Sequence, residues 1–153
     1  MKTIRIKAEP LTGDAYQAFG QVIGLDDVQL ELRQREKFRM GIIHMKNRGY
    51  RISSLNRHFN STQALIPLEG KACLVVVAPP ETTFDNAADL KKVRAFLCDG
   101  SVGINLGLGT WHQALLPIGS DMKMVNVQGV NSTKDTDVCH FDKMFDTVIQ
   151  ITL

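Results

Sequence analysis

Closely spaced turn signals cut this chain into short apolar runs, and that punctuation constrains the fold more than any other feature. Asn47–Gly49, Glu69–Gly70, Pro79–Pro80, Asp99–Gly100, Gly107–Gly109 and Gly119–Asp121 interrupt the sequence. Between them and around them lie "FRMGIIHM", "YRISSL", "QALIPL", "ACLVVVA", "VGINLGL", "WHQALLPI", "MKMVNVQ" and "TVIQITL". These runs are too short for amphipathic helices and suit strands. The opening "KTIRIKA" sets Ile4, Ile6 and Ala8 on one face and Thr3, Arg5 and Lys7 on the other, as a half-buried strand does. Only two windows read as helix. One is "LTGDAYQAFG", with Asp14 as a cap and Gly20 as a stop. The other is "DNAADLKKVRAF". Many short strands at this density predict a mainly β sandwich or small barrel with one or two short helices.

Length and composition narrow the class. At 153 residues, with no repeat, linker or low-complexity stretch, residues 1–153 read as one domain. Apolar content of 44% and charged content of 22% suit a soluble globular protein. The net charge is +2, and the basic residues are scattered. The densest group, "LRQREKFR", is interrupted by Glu36 and reads as a solvated edge. Nothing points to nucleic acid or to a membrane surface. Three cysteines without CxxC spacing argue against a disulfide framework and a zinc knuckle. With no leader pattern and no apolar run of about 18 residues, a cytoplasmic location is expected.

Four histidines are available for chemistry: His44, His58, His112 and His140. Strand alternation puts Asn56 and His58 on one face and Arg57 on the other. Gln63 follows after a turn and can reach the same space. His112 enters from the Gly-rich turn "GLGTWH". Two imidazoles and an amide oxygen make a neutral donor set for a divalent metal with open positions. The alternative is that each histidine is an ordinary structural residue, and that reading is preferred for His44 and His140. Trp111 offers either an anchor for core or subunit packing or a stacking face for a ligand. Lys123 is either a surface lysine or a partner for an anionic ligand, and alternation alone does not choose its face.

"RHFNSTQALIPLEG" followed by "VVVAPP" resembles the first motif of the cupin superfamily. Asn56 stands at the first histidine position, His58 at the second, Gln63 at the acid and Gly70 at the glycine. "GLGTWH" resembles the second motif, with Gly107 in the proline place, Gly109 at the glycine and His112 at the histidine. Within the cupins, "PLTGDAYQAFGQVI", "TQALIPLEG", "RAFLCDGSVGIN" and "GTWHQALLP" resemble the ureidoglycolate lyase (also called ureidoglycolate hydrolase) family in the same order, from Pro10 to about Val127. The chain departs from that family at Leu106 and Gly107 (a Tyr–His pair), at Gln113 and Ala114 (a His and a Pro), and at Lys123 (an Asp).

The resemblance implies a cupin-type double-stranded β-barrel, or jelly roll, in a homodimer. It implies a lyase of allantoin and purine nitrogen breakdown that splits (S)-ureidoglycolate into glyoxylate and urea. It also implies a weakly held divalent metal, nickel or zinc, on His58, His112 and Gln63. Proton transfer requires a base, and histidine titrates near neutrality. His58 and His112 are therefore the expected catalytic pair. Asn56, Gln63, Asn105, Trp111 and Lys123 are the expected contacts to a small carboxylate substrate. Two other readings remain: a cupin enzyme acting on another small carboxylate, or a non-catalytic cupin that binds a metabolite.

Overall fold

The computed structural model describes all residues, Met1–Leu153. In chain order the strands are β1 (Lys2–Lys7), β2 (Glu9–Pro10), β3 (Gly20–Ile23), β4 (Phe38–Met45), β5 (Arg51–Ile52), β6 (Ser54–Arg57), β7 (Gln63–Pro67), β8 (Cys73–Ala78), β9 (Arg94–Cys98), β10 (Gly103–Leu106), β11 (Trp111–His112), β12 (Leu116–Pro117), β13 (Met122–Gly129), β14 (Asp137–His140) and β15 (Thr147–Thr152). Two short helices accompany them, α1 (Gly13–Tyr16) and α2 (Phe141–Phe145), with one 3₁₀ turn at Ala87–Lys92. The mainly β, jelly-roll class expected from the sequence holds. The sheets face one another without joining into one hydrogen-bonded ring.

Three sheets form the architecture. Strands β1, β15 and β5 make one, and β3, β10, β7, β13 and β4 make a second. The third runs β14, β6, β11, β8, β9, β2, with β12 also on β8. This third sheet is the middle layer, and β8 shows why. Its sequence "CLVVVA" has no polar residue, and every position is buried. Leu74, Val76 and Ala78 join a core with Ile149 and Ile151 of β15. Cys73, Val75 and Val77 join a second core with Leu65, Ile104 and Met124 of the five-stranded sheet. A strand covered on both faces needs an unbroken apolar run rather than alternation.

Local chemistry sets the joins. Glu69 and Gly70 both have left-handed φ, +59° and +64°, and Lys71 N–H donates to the Leu68 carbonyl at 3.2 Å. This tight turn carries the chain from β7 to β8, and glycine enters it without steric cost. The cap of α1 is Thr12, whose Oγ1 accepts from Ala15 N–H at 3.1 Å, and not Asp14. The second helical window shrinks to the 3₁₀ turn, closed by the Asn86–Asp89 capping box. Its tail, "RAF", opens strand β9 instead, because Ala95, Phe96 and Cys98 fill the two cores beside β8. No helix is long and apolar enough to cross a membrane.

Candidate active site

The polar site lies between the middle sheet and the five-stranded sheet. On β11, Trp111 pairs with Ala78 and His112 pairs with Val77. Trp111 therefore shares the face of the first core, and His112 faces the space toward β7 and β13. Asn56 sits opposite His112 in register. On β7, Gln63 shares the inward face with Leu65. On β13, Met122 and Met124 line the core, and the same face continues as Asn126 and Gln128. The inter-sheet space thus turns from apolar to polar along one strand. Its polar end is a cavity of about 260 Å³ lined by Asn56, His58, Gln63, His112, Gln113, Gln128 and the residues Ser132, Thr133 and Thr136. No Asp, Glu, Lys or Arg lines it.

The two imidazoles are held alike. His58 Nδ1 lies 2.9 Å from the Asp135 carbonyl and 3.2 Å from Thr136 Oγ1. The Thr136 hydroxyl already donates to the Ser132 carbonyl at 2.7 Å. Both neighbours therefore accept, so His58 Nδ1 carries the proton. His112 Nδ1 lies 2.9 Å from the Thr110 carbonyl and donates to it for the same reason. Each ring is left with a bare Nε2 lone pair, and the ring centroids are 5.3 Å apart. His112 is buried, and burial pushes its pKa down to about 4. The Thr110 bond opposes that shift, and the neighbouring His58 adds to it. His112 is accordingly neutral near pH 7, while His58 is half-buried at the rim.

Three further features fix the pocket. Gln63 Nε2 donates to Asn126 Oδ1 at 2.8 Å, and Gln63 Oε1 is left enclosed with no partner. Ser132 Oγ is enclosed and unpartnered as well. Asp135 clamps the 130–136 turn: its Oδ2 accepts from Phe59 N–H at 2.9 Å and Asn60 N–H at 2.7 Å. Gly109, with φ +74°, donates its N–H to the His58 carbonyl at 2.7 Å. The left-handed backbone that this bond requires favours glycine there.

A family model described as ureidoglycolate lyase matches residues 28–148. The chain belongs to the ureidoglycolate lyase family. A ureidoglycolate lyase of Burkholderia mallei (strain NCTC 10229) is 31% identical and aligns over 84% of this chain and 85% of its own. For ureidoglycolate lyase 1 of Rhizobium meliloti (strain 1021) the figures are 27%, 92% and 91%. For the ureidoglycolate lyase of Pseudomonas syringae pv. tomato they are 30%, 94% and 92%.

In this member of the ureidoglycolate lyase family, the structure brings Asn56, His58, Gln63 and His112 to one pocket. It does not bring Asn105, Trp111 or Lys123 there, which corrects the expectation for those three. Asn105 pairs with Ala64 and so points away from Gln63. Its Nδ2 donates to the Gln29 carbonyl at 3.0 Å on the far side of the sheet. Trp111 packs at 5.2 Å and 78° on Phe84, donates Nε1–H to the Thr82 carbonyl at 2.8 Å, and carries the Arg57 guanidinium over its ring at 4.1 Å. Lys123 is exposed on the outer face, in register with His44. Asn126, Gln128, Ser132 and Asp135 were missed. The signal for the first two was present in "MKMVNVQ", whose inward face runs Met, Met, Asn, Gln. Of the departures, Leu106 is core and Gln113 forms pocket wall.

The donor set fits a divalent metal. Two imidazoles have their Nδ1 pinned by carbonyls and their Nε2 bare, the second-sphere pattern of ligating histidines. Gln63 Oε1 is an enclosed oxygen with no partner. The set holds no carboxylate, and no group of three or more His, Cys, Asp or Glu side chains converges anywhere in the chain. Such a neutral set binds more weakly than one that carries negative charge.

Proposed function

We propose that this protein is a lyase that cleaves (S)-ureidoglycolate into glyoxylate and urea. The observation that carries the proposal is the pocket's wall of bare acceptors: His58 Nε2, His112 Nε2 and the unpartnered Gln63 Oε1. Enclosed acceptors without partners are costly until a ligand donates to them. A ureido group brings three N–H donors, and the adjoining carbinol brings an O–H. Family membership supports the same reading.

The residues divide the work as follows. His58, half-buried at the rim, takes the carbinol proton on Nε2. The oxygen electron pair becomes the glyoxylate carbonyl as the carbon–nitrogen bond breaks. That bond's electrons pass to the ureido nitrogen, which receives the proton back from His58 and leaves as urea. His112 stays neutral and orients the ureido end through its Nε2 lone pair, because burial makes its charged form costly. Gln63 Oε1 accepts a ureido N–H, and Ser132 Oγ–H donates to the urea carbonyl. A divalent metal, nickel or zinc, would be an alternative occupant of His58, His112 and Gln63; it would supply Lewis-acid polarisation of an oxygen and would take the His58 lone pair that otherwise serves as base.

The reading extends to a homodimer in the cytoplasm, serving allantoin and purine nitrogen breakdown. Phe38, Met40 and Ile42 leave an exposed apolar row on the edge strand β4. Unpaired apolar edges of this kind call for cover. The three cysteines are free and buried, which suits a reducing compartment. The deciding assay mixes folded protein with racemic ureidoglycolate and follows glyoxylate. Release well above the spontaneous rate is expected, and release at the spontaneous rate would sink the proposal.

A further inference from the structure

The pocket leaves one part of its substrate unmatched. Ureidoglycolate carries a carboxylate, and no Lys or Arg lines the pocket. An adjoining groove of about 250 Å³ does carry cations. Lys46, Arg48 and Arg51 line it, and no Asp or Glu does. We propose that this groove is an anion-binding site that captures an incoming substrate by its carboxylate before it enters the pocket. The identity of the ligand rests on the lyase reading; the existence of the site does not.

Position is the first support. Gln113 lines both cavities. Ile43 of β4 lines the pocket and Met45 lines the groove. Residues two apart on a strand share a face and sit about 7 Å apart, so the cavities follow one another along the same cleft. The Gln113 side chain between them is fixed. Its Nε2 donates to the Ser54 carbonyl at 2.9 Å, and its Oε1 accepts from Ala114 N–H at 3.2 Å.

Charge is the second support. None of the three cations belongs to any of the chain's five ion pairs. The Arg51 guanidinium has no acidic partner; it donates to Met1 Sδ at 3.9 Å, outside the groove lining, so its charge acts on the groove from the rim. Asp121, the acid tied to this stretch, accepts from Asn47 N–H at 2.8 Å, lies 4.0 Å from His44, and is no part of the groove lining. The groove is thus a cleft of one sign. Such clefts focus the field and raise the local concentration of a counter-charged ligand. Arginine forks also match carboxylate geometry.

Two measurements test the proposal on the whole chain. At low ionic strength the Arg48→Gln/Arg51→Gln double variant should lose about tenfold in kcat/KM. It should also lose most of the wild-type dependence on added KCl. Lys123→Gln, on the exposed outer face, should keep the wild-type kcat/KM and salt slope. A double variant that keeps both would overturn the proposal. The second measurement needs no turnover: oxalate is titrated into ¹⁵N-labelled protein, with neutral oxamide as the control. Oxalate should shift Arg48, Arg51 and Gln113 in wild type and not in the double variant, and oxamide should leave them in place. No oxalate shift at those residues overturns the site, whatever the lyase activity. Shifts in a protein that does not turn over ureidoglycolate uphold the site and change only its ligand.

Discussion

Trp111 and His112 are adjacent in sequence and belong to different parts of the molecule. Trp111 faces the three-stranded sheet, in a layer of Leu74, Phe84, Leu90, Ile149 and Ile151 where its one polar atom is satisfied by the Thr82 carbonyl. His112 faces the five-stranded sheet, in a layer that begins apolar at Met122 and Met124 and ends in amides, hydroxyls and two imidazoles. The middle sheet separates stability from chemistry by strand parity alone. One face is a closed apolar core in which the Trp111 N–H is paired and Thr82 Oγ1 is left without a partner. The other carries unpaired acceptors, a standing cost to the folded state that substrate relieves.

The division can be broken from either side. The largest effect should come from His58→Ala, which removes the proposed base. A fall in kcat of about 10²–10⁴-fold is expected, with little change in a urea-denaturation midpoint. Loss of stability in place of rate would put His58 among the structural residues. Next is Trp111→Ala, where about 3–5 kcal/mol of unfolding free energy should disappear. The fraction that remains folded should keep its kcat. A Trp111→Phe variant, if the alanine form fails to fold, should show a smaller loss of the same kind.

The third effect is smaller and depends on pH. An unfolded histidine titrates near 6.5, and folded His112 near 4. Between those values the unfolded chain binds the extra proton, so it gains relative to the folded chain as pH falls. His112 should therefore cost nothing above about pH 6.5 and about 3 kcal/mol by pH 4, at 1.36 kcal/mol per unit. Chemical denaturation across pH 4–7 should show a slope that His112→Gln flattens. An unchanged slope in that variant would mean that His112 is charged in the folded protein.

Much of this was legible in the sequence, and the rest was hidden for identifiable reasons. Turn signals and short apolar runs announced a β fold, and the folded chain showed that "CLVVVA" is buried on both faces. The spacing around His58, Gln63 and His112 announced one pocket. What sequence does not carry is the face on which each strand's alternation begins, and that decided Asn105, Trp111 and Lys123. Each fell one residue out of phase with the pocket. The "RAF" end of the second helical window read as helix because Ala87, Leu90, Val93 and Ala95 fall at helical spacing, and the middle layer overrode that pattern. The 130–136 turn has no periodicity to read, so Ser132 and Asp135 emerged only from the folded chain.

The clamp at Asp135 has a consequence for how activity arises in time. Its contacts to His58 bridge 77 positions of sequence, and the Gln63–Asn126 bond bridges 63. Such contacts form only after long loops have closed, at an entropic cost that local structure does not return. The pocket is therefore assembled by the last closures of the chain rather than by any single hairpin. Enzyme turnover then reports completed folding. A molecule that has gathered its cores but not seated the 130–136 turn would look folded by its sheet content and remain chemically silent.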